Sequence, residues 1–403
     1  MGSDTVSDVE TDEDLTAPLL DDAFYRGDPF PHYARLRAEA PVAWNRQHGF
    51  WVLSRHADVM AASADPATFC SSKGILVQEI GVDYASPPTI MHTDPPDHTR
   101  YRKLVQPGFG PRQTRELDGA VRERAQLLID ALPAGDPVEV VSTLTAILPL
   151  QVIIDLLGVD DDDYDRFLLW SDAAVPGTGE MTDDERMGHM GDMVMFLLGK
   201  AGERRADPRD DLVSTLATVE LDGDRLSDDE VAMFLVQLLV AGNETSRNML
   251  TGGLHALAQH PDQWAALRAD RSLIPGAVEE MLRWTTPVIS FMRTATRDVE
   301  IRGTLVREGD PTLLLYAAAN RDEAEFGPTA ERFDITRSPN HHVAFGFGAH
   351  FCIGAALARL EARAVLDGLL DRFEGVEPAS EPVRSGSGII AGIRRADLRF
   401  VAA

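Results

Sequence analysis

Cysteine is nearly missing: Cys70 and Cys352 are the only two in 403 residues. Two thiols so far apart make no disulfide framework and point to a reducing compartment. Lysine is as scarce, at positions 73, 103 and 200, and the remaining basic residues are arginines. With many Ala and Asp, that usage suits a GC-rich bacterial genome. Positive charge is outweighed as a whole: 38 basic against 65 acidic residues leave a net charge of −27. Such a balance argues against nucleic acid or an anionic membrane surface as a partner. No stretch approaches the roughly 20 apolar residues of a membrane span. Residues 1–15 carry neither the basic nor the apolar region of an export signal. A soluble, cytoplasmic protein is expected. Repeats, low-complexity blocks and linkers are also missing, so residues 21–403 are expected to form one domain after a disordered tail at 1–20, although length alone would allow two or three domains.

What is present is mostly helical. The 28–40 segment has helical spacing; 41–45 and 49–54 read as two short strands, and 56–64 as a helix. The 71–90 segment is a loop rich in Gly, Ser and Pro that still carries Ile75, Leu76, Val77 and Ile80, so it is expected to cover something. Helical periodicity returns at 111–132, 141–157, 161–173, 183–204 and 209–219. Next, Ser227 to Glu230 spells a capping box and Pro261 is a stop, which frames a helix of about 33 residues, about 50 Å long. A helix at 273–285, strand-like pieces at 298–306 and 311–317, an irregular stretch at 319–344, a helix at 353–373 and a β-like tail complete the chain. The expected class is mainly α with a minor β region.

The strongest chemical signal is Phe345-Gly346-Phe347-Gly348-Ala349-His350-Phe351-Cys352-Ile353-Gly354. Its glycines permit a tight turn around the sulfur, and a helix N-terminus just beyond Cys352 favours a thiolate. Phe345 and Phe351 can keep water from it. A buried structural cysteine is the plain alternative, and a catalytic protease cysteine fails for want of a matching His and Asn/Asp pattern. The long helix holds a second anomaly: Ala241-Gly242-Asn243-Glu244-Thr245 gathers poor helix formers in mid-helix. Either the small residues and a local widening of the helix open a groove there, or Gly242 serves a close helix crossing. Glu280 and Arg283 are i and i+3, hence on one face. His98 and Arg102 are i and i+4 and share a face too.

Taken together these runs resemble soluble bacterial cytochromes P450, a family in which a cysteine thiolate holds the haem iron. The Cys352 loop matches the haem-binding loop of that family at every defined position, and the other motifs follow in the expected order over most of the chain. The resemblance implies a triangular helical prism with haem b between the long helix and the helix after Cys352, the iron held by the Cys352 thiolate. It implies that Ala241, Phe345, Gly346 and Gly354 also border the cofactor. His98, Arg102, Arg293 and His350 would engage the haem propionates, His350 standing where many relatives have Arg. Thr245 would supply a hydrogen bond where oxygen is activated, and Glu244 would relay protons. Glu280, Arg283 and Arg332 would form a structural lock. Matching positions place Gln237, Val240, Ala241, Val288, Ile289, Phe291, Ile389 and Ile390 around the substrate.

The implied activity is monooxygenation of a hydrophobic small molecule such as a terpenoid, steroid, fatty acyl or secondary-metabolite compound, with O2 and two electrons. No flavin or iron–sulfur motif is present, so the electrons would come from a separate ferredoxin and ferredoxin reductase. Arg100, Arg102, Lys103, Arg112 and Arg115 would offer that partner a basic face on a chain expected to be monomeric. Two alternatives stay open: a peroxide-using or rearranging haem-thiolate enzyme, and a non-catalytic haem protein that binds a ligand. The intact Glu244-Thr245 pair speaks against both. Cys70 has no motif and reads as a core or helix-end cysteine.

Overall fold

A computed structural model describes residues 14–82, 89–159, 164–174 and 181–402. Its axis is the Asp228–Gln259 helix. The Ser227 hydroxyl accepts from Glu230 N–H and the Glu230 carboxylate accepts from Ser227 N–H, while three acids occupy the first turn. Both devices satisfy or complement the free N–H groups of a helix start. The N-terminal half of this helix buries Phe234, Leu235, Leu238 and Leu239 among the Ile147–Leu157, Tyr164–Ala174, Asp183–Ala206 and Leu212–Thr218 helices. Its C-terminal half buries Met249, Leu250, Leu254 and Leu257 with the Pro111–Asp130, Ile274–Thr285 and Ala355–Arg372 helices. Between them, residues 241–248 add no apolar side chain to either cluster.

The β structure is minor. Five strands pair in the order Val42–Asn45, Phe50–Leu53, Pro311–Leu315, Ser290–Ala295, Phe69–Cys70. Only the contact of Pro311–Leu315 with Phe50–Leu53 is parallel. One face of this sheet buries Val52, Ile289, Met292 and Leu313 beneath Tyr25, Tyr33 and Leu36; the other buries Leu53, Leu314 and Ala295. A three-stranded sheet joins Phe373–Pro378, Asp397–Ala402 and Pro137–Glu139. Among the described residues no helix is long and apolar enough to cross a membrane.

Several expectations need correction. Of the 1–20 tail, residues 1–13 lie outside the described residues, but Leu15 and Leu19 are buried in the cluster under the sheet and Ala17–Leu20 forms a 3-10 turn. Two apolar side chains at helical spacing are enough to anchor this segment. The 141–157 helix opens with a π-helical turn, Val141–Thr145, whose first amides are capped by the Glu139 carboxylate. The 209–219 helix starts only at Leu212, because Asp211 caps it through Ser214 N–H. The 71–90 loop does cover the sheet: Ile75 is buried, its carbonyl accepts from Met292 N–H, and the Glu79 carboxylate accepts from Ile75 and Leu76 N–H. Residues 83–88 of that loop lie outside the described residues. Cys70 is buried in the edge strand opposite Thr294.

Candidate active site

The Cys352 loop closes on itself through Cys352 N–H to the Phe345 carbonyl at 2.9 Å. Gly346 and Gly348 take φ of +67° and +72°, where a side chain is strained. At Gly348 a Cβ would also stand 2.3 Å from the Ser63 carbonyl oxygen, so only glycine fits. Gly354 is different: its φ is −82°, and it serves as the N-cap of the Ala355–Arg372 helix. Cys352 is exposed on the open side of the loop, yet the protein packed around it still pushes the thiol up, while the Gly354 N–H, Arg102 and Arg359 pull the other way. The sulfur therefore faces amide and cationic groups and no acid, the setting a metal-bound thiolate needs. Phe345 is half-buried against the core, but Phe351 is 41% exposed and does not shield the sulfur as expected.

Arg359, one turn into that helix, belongs to the site although no motif marks it. It donates to both Glu279 oxygens at 2.7 and 2.8 Å and lies 4.6 Å from the Phe345 ring centroid. Burial opposes ionisation of Glu279, but Arg359 and His342 outweigh it and hold the carboxyl down at about 2. The Cys loop is thereby tied to the Ile274–Thr285 helix. Its place in the first turn after the loop, seven residues past Cys352, is the signal that sequence offers for it.

Beside the loop, the His98 and His350 rings meet at a 47° tilt with centroids 4.2 Å apart. Burial first, then Arg293, His98 and Arg102, push His350 down to about 3. His98 is lowered as well, by burial and Arg102. Among the described residues Asp94 is the carboxylate that acts against this basic cluster, and it already accepts from Ser71 and Ser72 N–H. His98, Arg102, Arg293 and His350 thus form one basic cluster, and Arg102 links it to the Cys352 sulfur. That donor set fits a thiolate-ligated haem, whose two carboxylates would find charged hydrogen-bonding partners there.

The first turn of the Cys352 helix packs Ile353 and Leu357 onto the cluster that holds Leu238 and Leu239 of the long helix. Farther along, Glu361 hydrogen-bonds Ser246. In this mid-helix region Ala241 is exposed although both helical halves around it are buried. The expected widening is not seen: the helix is α-helical throughout, and the Thr245 hydroxyl bonds back to the Ala241 carbonyl at 2.5 Å. Gly242 serves the helix crossing, since a Cβ there would sit 2.8 Å from Ile153 Cδ1. The small residue on the open side is Ala241. Glu244 is 1% exposed, and burial pushes it up to about 7 against the pull of Arg247, whose Nη2 donates to Oε2 at 2.7 Å.

The lock differs from its expected form. Arg283 donates to both Glu280 oxygens at 2.8 and 2.7 Å. The second arginine is Arg337, donating to Glu280 at 3.2 Å, not Arg332. Arg332 is exposed and contributes its carbonyl, which accepts from Arg283 and Arg337. The chain turns at Asp334, whose N–H also reaches Glu280, and this brings position 337 inward.

Of the residues expected around a substrate, Gln237, Val240, Ala241, Val288, Phe291 and Ile389 are at least partly exposed. Ile289 and Ile390 are buried and line a different, polar cavity. Ile289 and Met292 pack on one face of the sheet, whereas Val288 and Phe291 pack on the other.

These features agree with what the chain resembles as a whole. Residues 192–395 match the family model described as Cytochrome P450. A steroid C26-monooxygenase of Mycolicibacterium smegmatis is 35% identical over 392 residues, covering 93% of this chain and 91% of that protein. A methyl-branched lipid omega-hydroxylase of Mycobacterium tuberculosis is 39% identical over 381 residues, covering 90% and 89%. A cytochrome P450 of Mycobacterium marinum, solved in complex with pseudoionone, superposes with a TM-score of 0.86 at 36% identity, covering 94% and 97%. With a Cys loop beside a cluster of basic side chains, the long helix packed against it, and relatives aligned nearly end to end, this chain belongs to the cytochrome P450 family of haem-thiolate monooxygenases.

Proposed function

We propose that this enzyme hydroxylates a branched aliphatic lipid, such as a steroid side chain, a methyl-branched acyl chain or a terpenoid, with Cys352 as the thiolate ligand of its haem. The observation that carries the site assignment is the basic cluster of His98, Arg102, Arg293 and His350, linked by Arg102 to the Cys352 sulfur, with Asp94 as the facing carboxylate. When bound, the haem supplies activation of O2 and insertion of one oxygen atom into a C–H bond. The chain supplies the rest. The four basic groups would hold the propionates, and the Gly354 amide and Arg359 would keep negative charge on the sulfur. Glu244 holds a proton in a dry site near neutral pH, where a general acid works best. The Thr245 hydroxyl, one residue on, hands that proton toward the open face marked by Ala241. Val240, Ala241, Val288, Phe291 and Ile389 offer an apolar wall, with Gln237 for one polar group.

The lipid preference draws on relatives named for steroid C26 oxidation, methyl-branched lipid ω-hydroxylation and a pseudoionone complex. Electrons come from a redox partner, here a ferredoxin with its reductase, working in the cytoplasm. Its docking face is narrower than the basic stretch suggested, because Arg100 is engaged by Asp224 and Glu230 at 2.6 Å each. Lys103, Arg112 and Arg115 remain exposed, Arg112 in a surface pair with Glu116 that solvent weakens.

The test is turnover with a ferredoxin, its reductase and NAD(P)H over a panel of sterols, branched acids and terpenoids under isotopically labelled O2. One labelled oxygen atom per product, found with branched lipids and not with polar aromatics, is the expected result. Label drawn from water, or turnover with peroxide alone, contradicts the reading. Charge reversal at Lys103 and Arg112 should flatten the salt dependence of electron transfer; an unchanged salt titration removes the docking face.

A further inference from the structure

Glu244 lies 1% exposed, so its proton must come from water by some route. The long helix offers one. Asn248, Gly252, His255 and Gln259 recur at intervals of four, three and four, which places them on one helical face, and Glu244 continues the stripe one turn earlier. The four later positions line a cavity of about 730 Å³. Its other walls include Trp284, Thr285 and the 381–393 turn, and exposed Gln259 and Glu381 mark its outer side. Gly252 lets Thr285 approach: a Cβ there would lie 2.5 Å from Thr285 Cγ2.

At the inner end, Asn248 is 1% exposed, and its Nδ2 has no hydrogen-bond partner among the described residues. Its Oδ1 is used, accepting from Ile393 N–H at 3.1 Å. Glu244 Oε1 makes no full-strength hydrogen bond among the described residues, although the Asn248 amide lies close enough to hydrogen-bond that carboxyl weakly and favours its ionised form. A buried donor and acceptor joined by no more than a weak hydrogen bond keep valences that a water can complete. On the opposite flank, Arg247 holds Oε2 and lies 3.8 Å from Asp172. A guanidinium does not give up its proton in a protein, so that flank supplies charge and not a proton path. Asp172 and Arg247 are the charges that act on Glu244; Arg384 and Glu381 act on His255, which burial first and Arg384 second bias toward the neutral, proton-accepting form.

We propose that this polar cavity is the hydrated channel through which protons from bulk water reach Glu244, passing His255 and a water oriented by the Asn248 amide to the free Oε1. One proton moves from water to the carboxylate, and no other bond changes. The channel rests on the reading of Glu244 as the proton donor. Its test uses the resting holoenzyme, so it does not depend on turnover.

Rapid mixing into D2O near pH 7, followed by infrared spectroscopy, reads H/D exchange at the Glu244 carboxyl, assigned by the band lost in Glu244→Gln. His255→Leu and Asn248→Leu should slow exchange by about ten-fold or more, His255→Gln should restore most of the rate, and Asp172→Asn should leave it within about two-fold. A wild-type rate in His255→Leu overturns the channel, whatever Asn248→Leu does, and slowing confined to Asp172→Asn places the route on the other flank. Retention of the haem spectrum in each variant reports folding. Should Glu244→Gln keep full coupled turnover while the exchange pattern holds, the channel stands and the catalytic reading of Glu244 falls.

Discussion

Two Glu-x-x-Arg pairs lie on two helices of this chain, Glu280 with Arg283 and Glu244 with Arg247, and both glutamates are out of solvent. Glu280 is saturated. It accepts twice from Arg283, once each from Arg337 and Asn340, and once from Asp334 N–H. Glu244 accepts from Arg247 on one oxygen and makes no full-strength hydrogen bond on the other among the described residues. Around it, Asn243 Oδ1, Arg247 Nε and Asn248 Nδ2 are open in the same sense. The same i, i+3 spacing thus builds a fastener in one place and a proton holder in the other. The number of donors supplied from outside the helix decides which. A fully bonded carboxylate holds three segments together, whereas a half-bonded, buried one drifts toward the neutral form and can exchange a proton.

The largest effect should come from breaking the saturated pair. Arg283→Ala leaves Glu280 buried with much of its compensation gone, which should cost about 3–5 kcal/mol in thermal or denaturant unfolding. A loss under about 1 kcal/mol would show the lock to be dispensable. Glu244→Gln should reverse the pattern. Coupled product formation should fall about 100-fold or more, while stability rises. The sign follows from linkage: Glu244 stands near 7 in the folded chain against an ordinary 4.5, so the folded state keeps a proton that the unfolded state releases between those values. Wild-type stability therefore falls as pH rises through that window, and the glutamine variant escapes that fall. The variant should gain up to about 3 kcal/mol relative to wild type on going from below pH 4.5 to above pH 7. Glu361, also pushed up to about 7 by burial, is common to both proteins and cancels in the difference. A pH-independent difference would contradict this.

Smaller effects sharpen the lock itself. Arg337→Ala should cost about 1–3 kcal/mol, because it removes a donor to Glu280 and to the Thr329 carbonyl. Arg332→Ala should stay within about 0.5 kcal/mol, since that residue serves the lock through its backbone carbonyl while its side chain is exposed. Chemical denaturation of the two variants side by side checks the assignment, and the opposite ranking would restore Arg332 to the lock.

The contrast between local and distant contacts also explains what a sequence reveals of this molecule. The long helix is legible because its start lies in four adjacent residues, Ser227 to Glu230, and its stop in Pro261. The Cys352 loop is legible because Gly346 and Gly348 sit at fixed offsets from the sulfur. Arg337 takes the place expected for Arg332 because spacing does not reveal which way a chain turns after Phe333. Gly242 has two roles open to it in sequence, since whether Ile153 lies across from it is a property of the fold. Ile289 and Ile390 are expected on the substrate side, yet the sheet turns Ile289 to its other face and Ile390 joins it at the polar cavity. The open valences of Glu244 and Asn248 have no signature in sequence at all: they are defined by partners that do not arrive.

The central claim is that the Cys352 sulfur ligates haem iron, and the most direct test is the carbon monoxide difference spectrum of the reduced protein, wild type against Cys352→Ala. A strongly red-shifted Soret band in the wild type that vanishes in the variant is the result expected. A wild-type band typical of histidine-ligated haem, or a red-shifted band that survives in Cys352→Ala, would contradict that ligation.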